Sequence, residues 1–245
     1  MRRYIKYFRK YPDACVMYID AHTDINTVDT TESGNMHGMP IAFLLGLGSK
    51  VDEFSWIKPL LKADRLVYIG LRDVDASEKK ILRDNNIKAF SMREVDKYGI
   101  GKVVEMALDH VNLNRDRPIH LSFDIDALDP TVAPATGLPV HDGLTSREGH
   151  YICEAISETG LLAALDIVFG REQYGDGLLL RVFESLTSNA PRMDLKKSAP
   201  AHSVGIAYTL NPPPPDAYAN PPSPRLSSIP KSATSGPRMY KGRVQ

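Results

Sequence analysis

The sequence predicts an α/β domain on a mainly parallel sheet, followed by a segment that cannot build a core of its own. Three observations predict it. Short β-rich apolar runs alternate with amphipathic stretches across the first 169 of the 245 residues, the pattern of strands joined by helical crossovers. Aspartates and histidines collect directly behind two of those runs. The composition then breaks near Ala190.

Taken in order, strands are expected over 14–19 (ACVMYI), 66–69 (LVYI), 88–91 (KAFS), 119–123 (IHLSF) and 161–168 (LLAALDIV). Helices fall between them. One is expected over 38–46 and a second over 77–85. A third covers 94–112, where Val95, Val103, Val104, Ala107, Leu108 and Val111 recur at helical spacing. A fourth starts at Thr145, whose hydroxyl and Glu148 form a capping box, and stops at Gly160.

The formal charge is zero, with 30 basic and 30 acidic residues, but it is unevenly spread. From residue 190 onward there are eight basic and two acidic residues, so this end is net +6 and the rest net −6. The same end holds eleven of the eighteen prolines, including the run Pro212–Pro215. Such a stretch buries too little apolar surface to offset its ordering entropy. The division is therefore an α/β domain over 1–169 and a basic, proline-rich extension over 170–245, expected to be disordered and partly polyproline-like. Its few aromatic residues form no regular alternation with its charges, so no nucleic-acid partner is expected. No apolar run approaches the roughly 20 residues a membrane span needs, and the basic start MRRYIKYFRKYPD lacks the apolar core of a secretory leader. Cys15 and Cys153 are the only cysteines; far apart and each among apolar residues, they suit a reducing compartment rather than a disulfide scaffold.

The chemistry lies at the strand ends. Behind the first strand stands Asp20-Ala-His22-Thr-Asp24, with metal-ligating types at every second position, and behind the fourth stands Asp124-Ile-Asp126. Alternate residues of extended backbone share a face, and parallel α/β sheets bind ligands beyond the carboxyl ends of their strands. Asp73 and Asp75 follow a third strand. Two like charges about 4 Å apart repel by roughly 4 kcal/mol at an effective dielectric near 20, so four carboxylates sharing a pocket require a cation. Oxygen ligands with one imidazole suit a pair of divalent ions, Mn²⁺ above Zn²⁺. His37 lies in Ser33-Gly-Asn-Met-His-Gly, ahead of an apolar helix, and is a candidate active-site residue. His110, His120, His141, His150 and His202 have no comparable context.

The stretches IDAHTDINT (19–27), SGNMHGMPIAFLL (33–45), YIGLRDVD (68–75), LSFDIDALDP (121–130), PATGLPV (134–140) and GLTSREG (143–149) closely resemble the arginase family of ureohydrolases. The likeness runs from about residue 11 to 168. It implies a three-layer αβα domain and manganese-dependent hydrolysis of L-arginine to L-ornithine and urea. By motif position, the resemblance makes Asp20 and Asp124 bridging ligands of two Mn²⁺ ions, adds Asp24 to the first ion, and adds His22 and Asp126 to the second. It makes His37 a proton shuttle. Asn26, Ser33 and Asn35 become hydrogen-bond partners of the substrate α-carboxylate, and Asp75 and Glu78 those of its α-ammonium. It further implies a small-molecule substrate, a homotrimer, a role in arginine catabolism such as the urea cycle, and a cytoplasmic location with the mitochondrion as alternative.

Three departures from the family pattern set further expectations. No upstream Gly-Gly-Asp-His segment precedes the first motif, so the first ion would lack its histidine and bind more weakly than the second, and the sheet would lack its first strands. Phe169 stands where the family has the glutamate that grips the guanidinium. Leu138 stands where a threonine is common in the rim. The alternative function is accordingly a catalytically silent, truncated arginase-like protein that at most binds Mn²⁺ or joins full-length subunits. A third is a proline-rich interaction protein.

Overall fold

The computed structural model describes residues 2–134, 136–168, 196–198 and 207–209. Its centre is a five-stranded parallel sheet in the order β3-β2-β1-β4-β5. The strands are β1 (Cys15–Ile19), β2 (Leu66–Leu71), β3 (Lys88–Ser91), β4 (Ile119–Asp124) and β5 (Leu162–Val168). Every residue of β1 and β2 is buried, as their near-continuous apolar runs require of strands covered on both faces.

Helices α1 (Arg2–Lys10), α2 (Pro40–Leu45), α3 (Ala76–Asp84), α4 (Met92–Tyr98), α5 (Ile100–Val111) and α6 (Ser146–Glu158) connect or cover the strands. Alternation along β4 shows how they layer. The ring of His120 stacks against Tyr4 of α1. A side chain at Gly149 of α6 would instead meet Phe123 at 3.5 Å. Because His120 and Phe123 point to opposite faces of the strand, α1 and α6 lie on opposite sides of the sheet, giving three layers.

Four elements refine the sequence reading. Helix α1 was not anticipated: its Tyr4, Ile5, Tyr7 and Phe8 are buried, as is Tyr11 just beyond it, while Lys6, Arg9 and Lys10 are exposed, so a segment read only for leader character is an amphipathic helix. The expected single helix over 94–112 is two, broken at Gly99, whose φ of 76° no helix interior accepts. The expected helix over 38–46 becomes a single 3-10 turn, Met36–Gly38, followed by α2, which closes on left-handed Gly46. The capping box of Thr145 and Glu148 forms as expected. Most of the proline-rich extension lies outside the described residues; within it, β6 (Lys196–Ser198) and β7 (Ala207–Thr209) pair antiparallel.

The topology dictates where a ligand would sit. From β1 the chain steps outward through β2 to β3, then returns to place β4 on the other side of β1 and steps outward again to β5. The loops after β1 and β4 therefore leave in opposite directions and open a crevice at their carboxyl ends, the usual binding position in open α/β sheets. Asp20 follows directly on β1, and Asp124 closes β4.

Candidate metal centre

Asp20, His22 and Asp126 converge at this crevice, with one ligand atom from each lying within 4.8 Å of the others. Parallel register aligns β1 and β4 so that Ile19 is opposite Phe123, which places the residues that follow at the same height. The 3-10 turn Ile125–Ala127 then brings Asp126 back over the strand ends. Its amide donates to Asp124 Oδ1 at 3.0 Å, while its own Oδ1 accepts from the Ala21 amide at 3.1 Å. The two motifs are thus bonded to each other across the crevice.

His22 is the centre of the cluster. Its Nδ1 lies 3.1 Å from Asp126 Oδ2 and 3.5 Å from Asp20 Oδ1, and its Nε2 lies 3.6 Å from Asp73 Oδ2. Asp20 Oδ1 also accepts the His22 amide at 2.7 Å. Asp24 is carried on a left-handed residue, φ 50°, a conformation that aspartate tolerates better than most. Its Oδ2 accepts the hydroxyl of buried Tyr18 at 2.9 Å.

The charges here do not balance by themselves. Burial, followed by repulsion from neighbouring aspartates, pushes the Asp20 and Asp124 carboxyls well above the usual range. Burial raises Asp24 to about 7 against the Tyr18 hydrogen bond. At His22 burial acts downward, but the hydrogen bonds with Asp126 and Asp20 prevail and lift it to about 11. A group of carboxylates held this close, with one imidazole among them, would be stabilised by a cation in the crevice. The donor set of carboxylate oxygens and one ring nitrogen fits a hard or borderline divalent ion.

The remaining candidates form a second group beside this one. Asn26 is buried and ties three segments together: its amide nitrogen donates to Asp75 Oδ2 at 2.9 Å, and its oxygen accepts from Thr30 at 2.9 Å and Ser77 at 3.2 Å. Glu78, also buried, accepts the amides of Asp75 at 3.1 Å and Ile25 at 3.3 Å. Asp75 itself is exposed at the start of α3. Ser33, Asn35 and His37 lie on an exposed loop, anchored where the Asn26 amide donates to the Gly38 carbonyl at 3.0 Å. Leu138 is exposed on a separate loop. Phe169 lies outside the described residues.

Sequence reasoning passed over two residues here. Tyr18 reads as one more apolar strand residue, although strand alternation puts it on the same face as Asp20. Arg72 stands inside a motif already noted, YIGLRDVD, yet nothing in the spacing announces its contacts. Its guanidinium reaches six backbone carbonyls: those of Gly70, Asp126, Ala127, Leu128, Val140 and His141.

Comparison with known proteins identifies the lineage of this arrangement. The model of the Arginase family matches residues 3–172. The chain belongs to the arginase family. Among its relatives, an arginase of Glaciozyma antarctica is 69% identical over 165 residues, which cover 66% of this chain and 48% of the relative. An arginase of Neurospora crassa is 60% identical over 160 residues, 64% of this chain and 44% of the relative. Human "Arginase-2, mitochondrial" is 58% identical over 164 residues, 65% of this chain and 46% of the relative. The chain thus spans about half the length of the relatives it matches. The crystal structure of the cold-adapted Glaciozyma antarctica arginase superposes with a TM-score of 0.62 at 62% identity, covering 73% of this arginase-family chain and 61% of that one. Bacillus subtilis arginase gives a TM-score of 0.67 at 33% identity over 73% and 64%. No helix among the described residues is long and apolar enough to cross a membrane.

Proposed function

We propose that this chain is a manganese-dependent hydrolase of L-arginine, releasing L-ornithine and urea. The observation that carries the reading is the meeting of Asp20, His22 and Asp126 at the reversal of strand order, in a chain of the arginase family. In this reading Asp20 and Asp124 would be shared ligands, with Asp24 in the first ion's set and His22 and Asp126 in the second's. A pair of divalent cations held there would bring the pKa of a water toward neutrality and so supply the hydroxide that attacks the guanidinium carbon. The chain's own residues do the rest. Asn26, Ser33 and Asn35 offer neutral hydrogen bonds to the α-carboxylate, and Asp75 and Glu78 offer charge to the α-ammonium. His37, exposed on its anchored loop, exchanges protons with solvent and with the leaving amine, work that suits an imidazole near neutral pH. The same reading takes the assembly as a homotrimer, the compartment as the cytoplasm and the physiological role as arginine catabolism.

The test is release of urea by the purified 245-residue chain supplied with Mn²⁺ and L-arginine. Urea formation at a rate that follows Mn²⁺ occupancy is expected. Phe169 favours a second reading, in which the chain holds Mn²⁺ but turns nothing over, because a phenylalanine cannot supply a charge-assisted contact of roughly 1.5–3 kcal/mol to the guanidinium. Tightly retained Mn²⁺ with no urea establishes that reading instead.

A further inference from the structure

Arg72 makes no ion pair among the described residues. A half-buried guanidinium would ordinarily sit beside a carboxylate, whereas all the hydrogen bonds of this one end on main-chain oxygens. Those oxygens belong to three separate segments. Gly70, at 3.2 Å from Nη1, lies in β2 itself. Asp126, Ala127 and Leu128, at 2.7, 3.1 and 3.3 Å, form the turn that carries Asp126 into the crevice. Val140 and His141, at 2.6 Å from Nη2 and 2.9 Å from Nε, belong to the far limb of the loop that bears Leu138.

A second observation shows that the surrounding chain is shaped to admit this head group. A Cβ at Gly143 would come within 2.6 Å of Arg72 Nη2, 2.6 Å of the Asp129 amide nitrogen and 2.7 Å of the Leu128 carbonyl carbon. Two of these are backbone atoms that cannot swing away. The base of the loop is closed on the same spot, where Leu144 donates to Ala127 and Asp129 donates to Leu144, both at 2.9 Å. The Arg72 backbone joins the other motif, because the amides of Arg72 and Asp73 donate to the Ala21 carbonyl at 3.0 and 3.1 Å.

We propose that Arg72 is a positioning residue: its guanidinium pins the Asp126 turn and the 140–143 limb to the end of β2, and so sets the cation affinity of a site whose ligand side chains it does not bond. Resting on the metal reading above, the inference adds a residue to which that reading gives no role. The physical reason is geometric. A planar fork with five N–H groups can hold carbonyls from several directions at once, which an ammonium cannot. Without it, those carbonyls turn to solvent and carry Asp126 with them.

The experiment compares the full chain with Arg72→Met, Arg72→Lys and Gly143→Ala, using Mn²⁺ alone as probe. Two quantities are read well below the unfolding temperature: the Mn²⁺ dissociation constant from the signal of free ion, and amide exchange of the metal-free chain at Leu128, Asp142 and Leu144 against that of β1 and β4. Arg72→Met is expected to weaken Mn²⁺ binding by about 10–100-fold and to speed exchange at the three loop amides while the strands stay protected. Arg72→Lys falls between it and wild type. Gly143→Ala, which removes no hydrogen-bonding group, shifts both readouts the same way and carries the test should Arg72→Met fail to fold. Unchanged loop exchange in Arg72→Met overturns the brace. Faster exchange with wild-type Mn²⁺ affinity overturns its role in positioning Asp126. A wild-type chain that takes up no Mn²⁺ overturns the metal reading on its own, and the exchange comparison still decides whether Arg72 pins the turn.

Discussion

Among the described residues, two histidine–aspartate pairs have the same separation, and they serve opposite ends. His22 and Asp126 stand 3.1 Å apart at the carboxyl ends of the strands; His120 and Asp166 stand 3.1 Å apart in the middle of β4 and β5. Around His22 are Asp20, Asp24, Asp73 and Asp124, so negative charge is in surplus, and the ring opens to the crevice. His120 is 1% exposed and sealed by Tyr4 and Tyr7, whose ring centroids lie 4.5 and 4.8 Å away. Its Nδ1 has no hydrogen-bond partner, which fits an imidazole carrying its proton on Nε2 and donating it to Asp166. One pair is, in the proposed reading, part of a coordination set that would gain from a cation; the other is a hydrogen bond inside the sheet whose imidazole packs against α1. Distance alone does not separate them. The sum of surrounding charge and the access of solvent do.

The sharpest way to break this contrast is to take one acidic charge from the first pair's surroundings. Asp124→Asn keeps the oxygen that accepts the Asp126 amide but removes a carboxylate that burial and the Asp126 charge both disfavour. Retention of Mn²⁺ should be lost altogether, while the metal-free chain should resist urea as well as wild type or better. Metal analysis after gel filtration and urea titration in the presence of a chelator give the two readings. Undiminished metal content would remove Asp124 from the proposed ligands, and a marked loss of metal-free stability would show that the cluster is structural, as at His120.

The opposite substitution sharpens the second pair. His120→Leu takes away the donor facing a buried carboxylate and the ring on which Tyr4 stacks, and should cost about 2–3 kcal/mol in urea unfolding. Pairing it with Asp166→Leu should recover most of that cost, because two apolar groups of suitable volume can replace a buried polar pair. A double variant as unstable as the single one would mean that packing against α1, rather than polar satisfaction, sets the penalty. Metal content should not change in either.

These two regions also differ in how far they were legible in the sequence. The strands were, because fully buried parallel strands leave unbroken apolar runs, and the convergence of Asp20, His22 and Asp126 was, because each motif directly follows a strand of one parallel sheet. Helix α1 was missed: four aromatic and aliphatic residues spread among arginines and lysines show their stripe only when plotted at helical spacing, and a basic amino terminus draws the eye to targeting instead. His120 carried no local cue at all, since its partners Asp166, Tyr4 and Tyr7 come from elements that only folding brings near. Arg72 failed for a related reason. Backbone carbonyls are present at every position, so no sequence pattern marks a side chain whose partners are all main chain.

Asp129 supplies the smallest effect and calibrates the other two. It is an exposed carboxylate whose charge its neighbours want: Thr131 donates its hydroxyl at 2.6 Å and its amide at 2.9 Å, and the amides of Asp142 and Gly143 donate to the other oxygen at 2.9 and 3.3 Å. These bonds, with that of the Thr131 side chain foremost, hold its carboxyl down at about 2, against 3.8 for an ordinary aspartate. A group depressed in the folded state contributes stability above its unfolded pKa and loses that contribution as pH falls toward the folded value. The urea midpoint of wild type should therefore exceed that of Asp129→Asn by a small, constant margin above about pH 5, and the margin should close between about pH 4 and 2. Closure is the informative part, because a protonated carboxyl, like the amide, keeps a single freely accepting oxygen, so the two chains converge once the charge is gone. A margin independent of pH would assign the effect to loop geometry, leaving Arg72 and Gly143 as what holds the 129–143 loop in place.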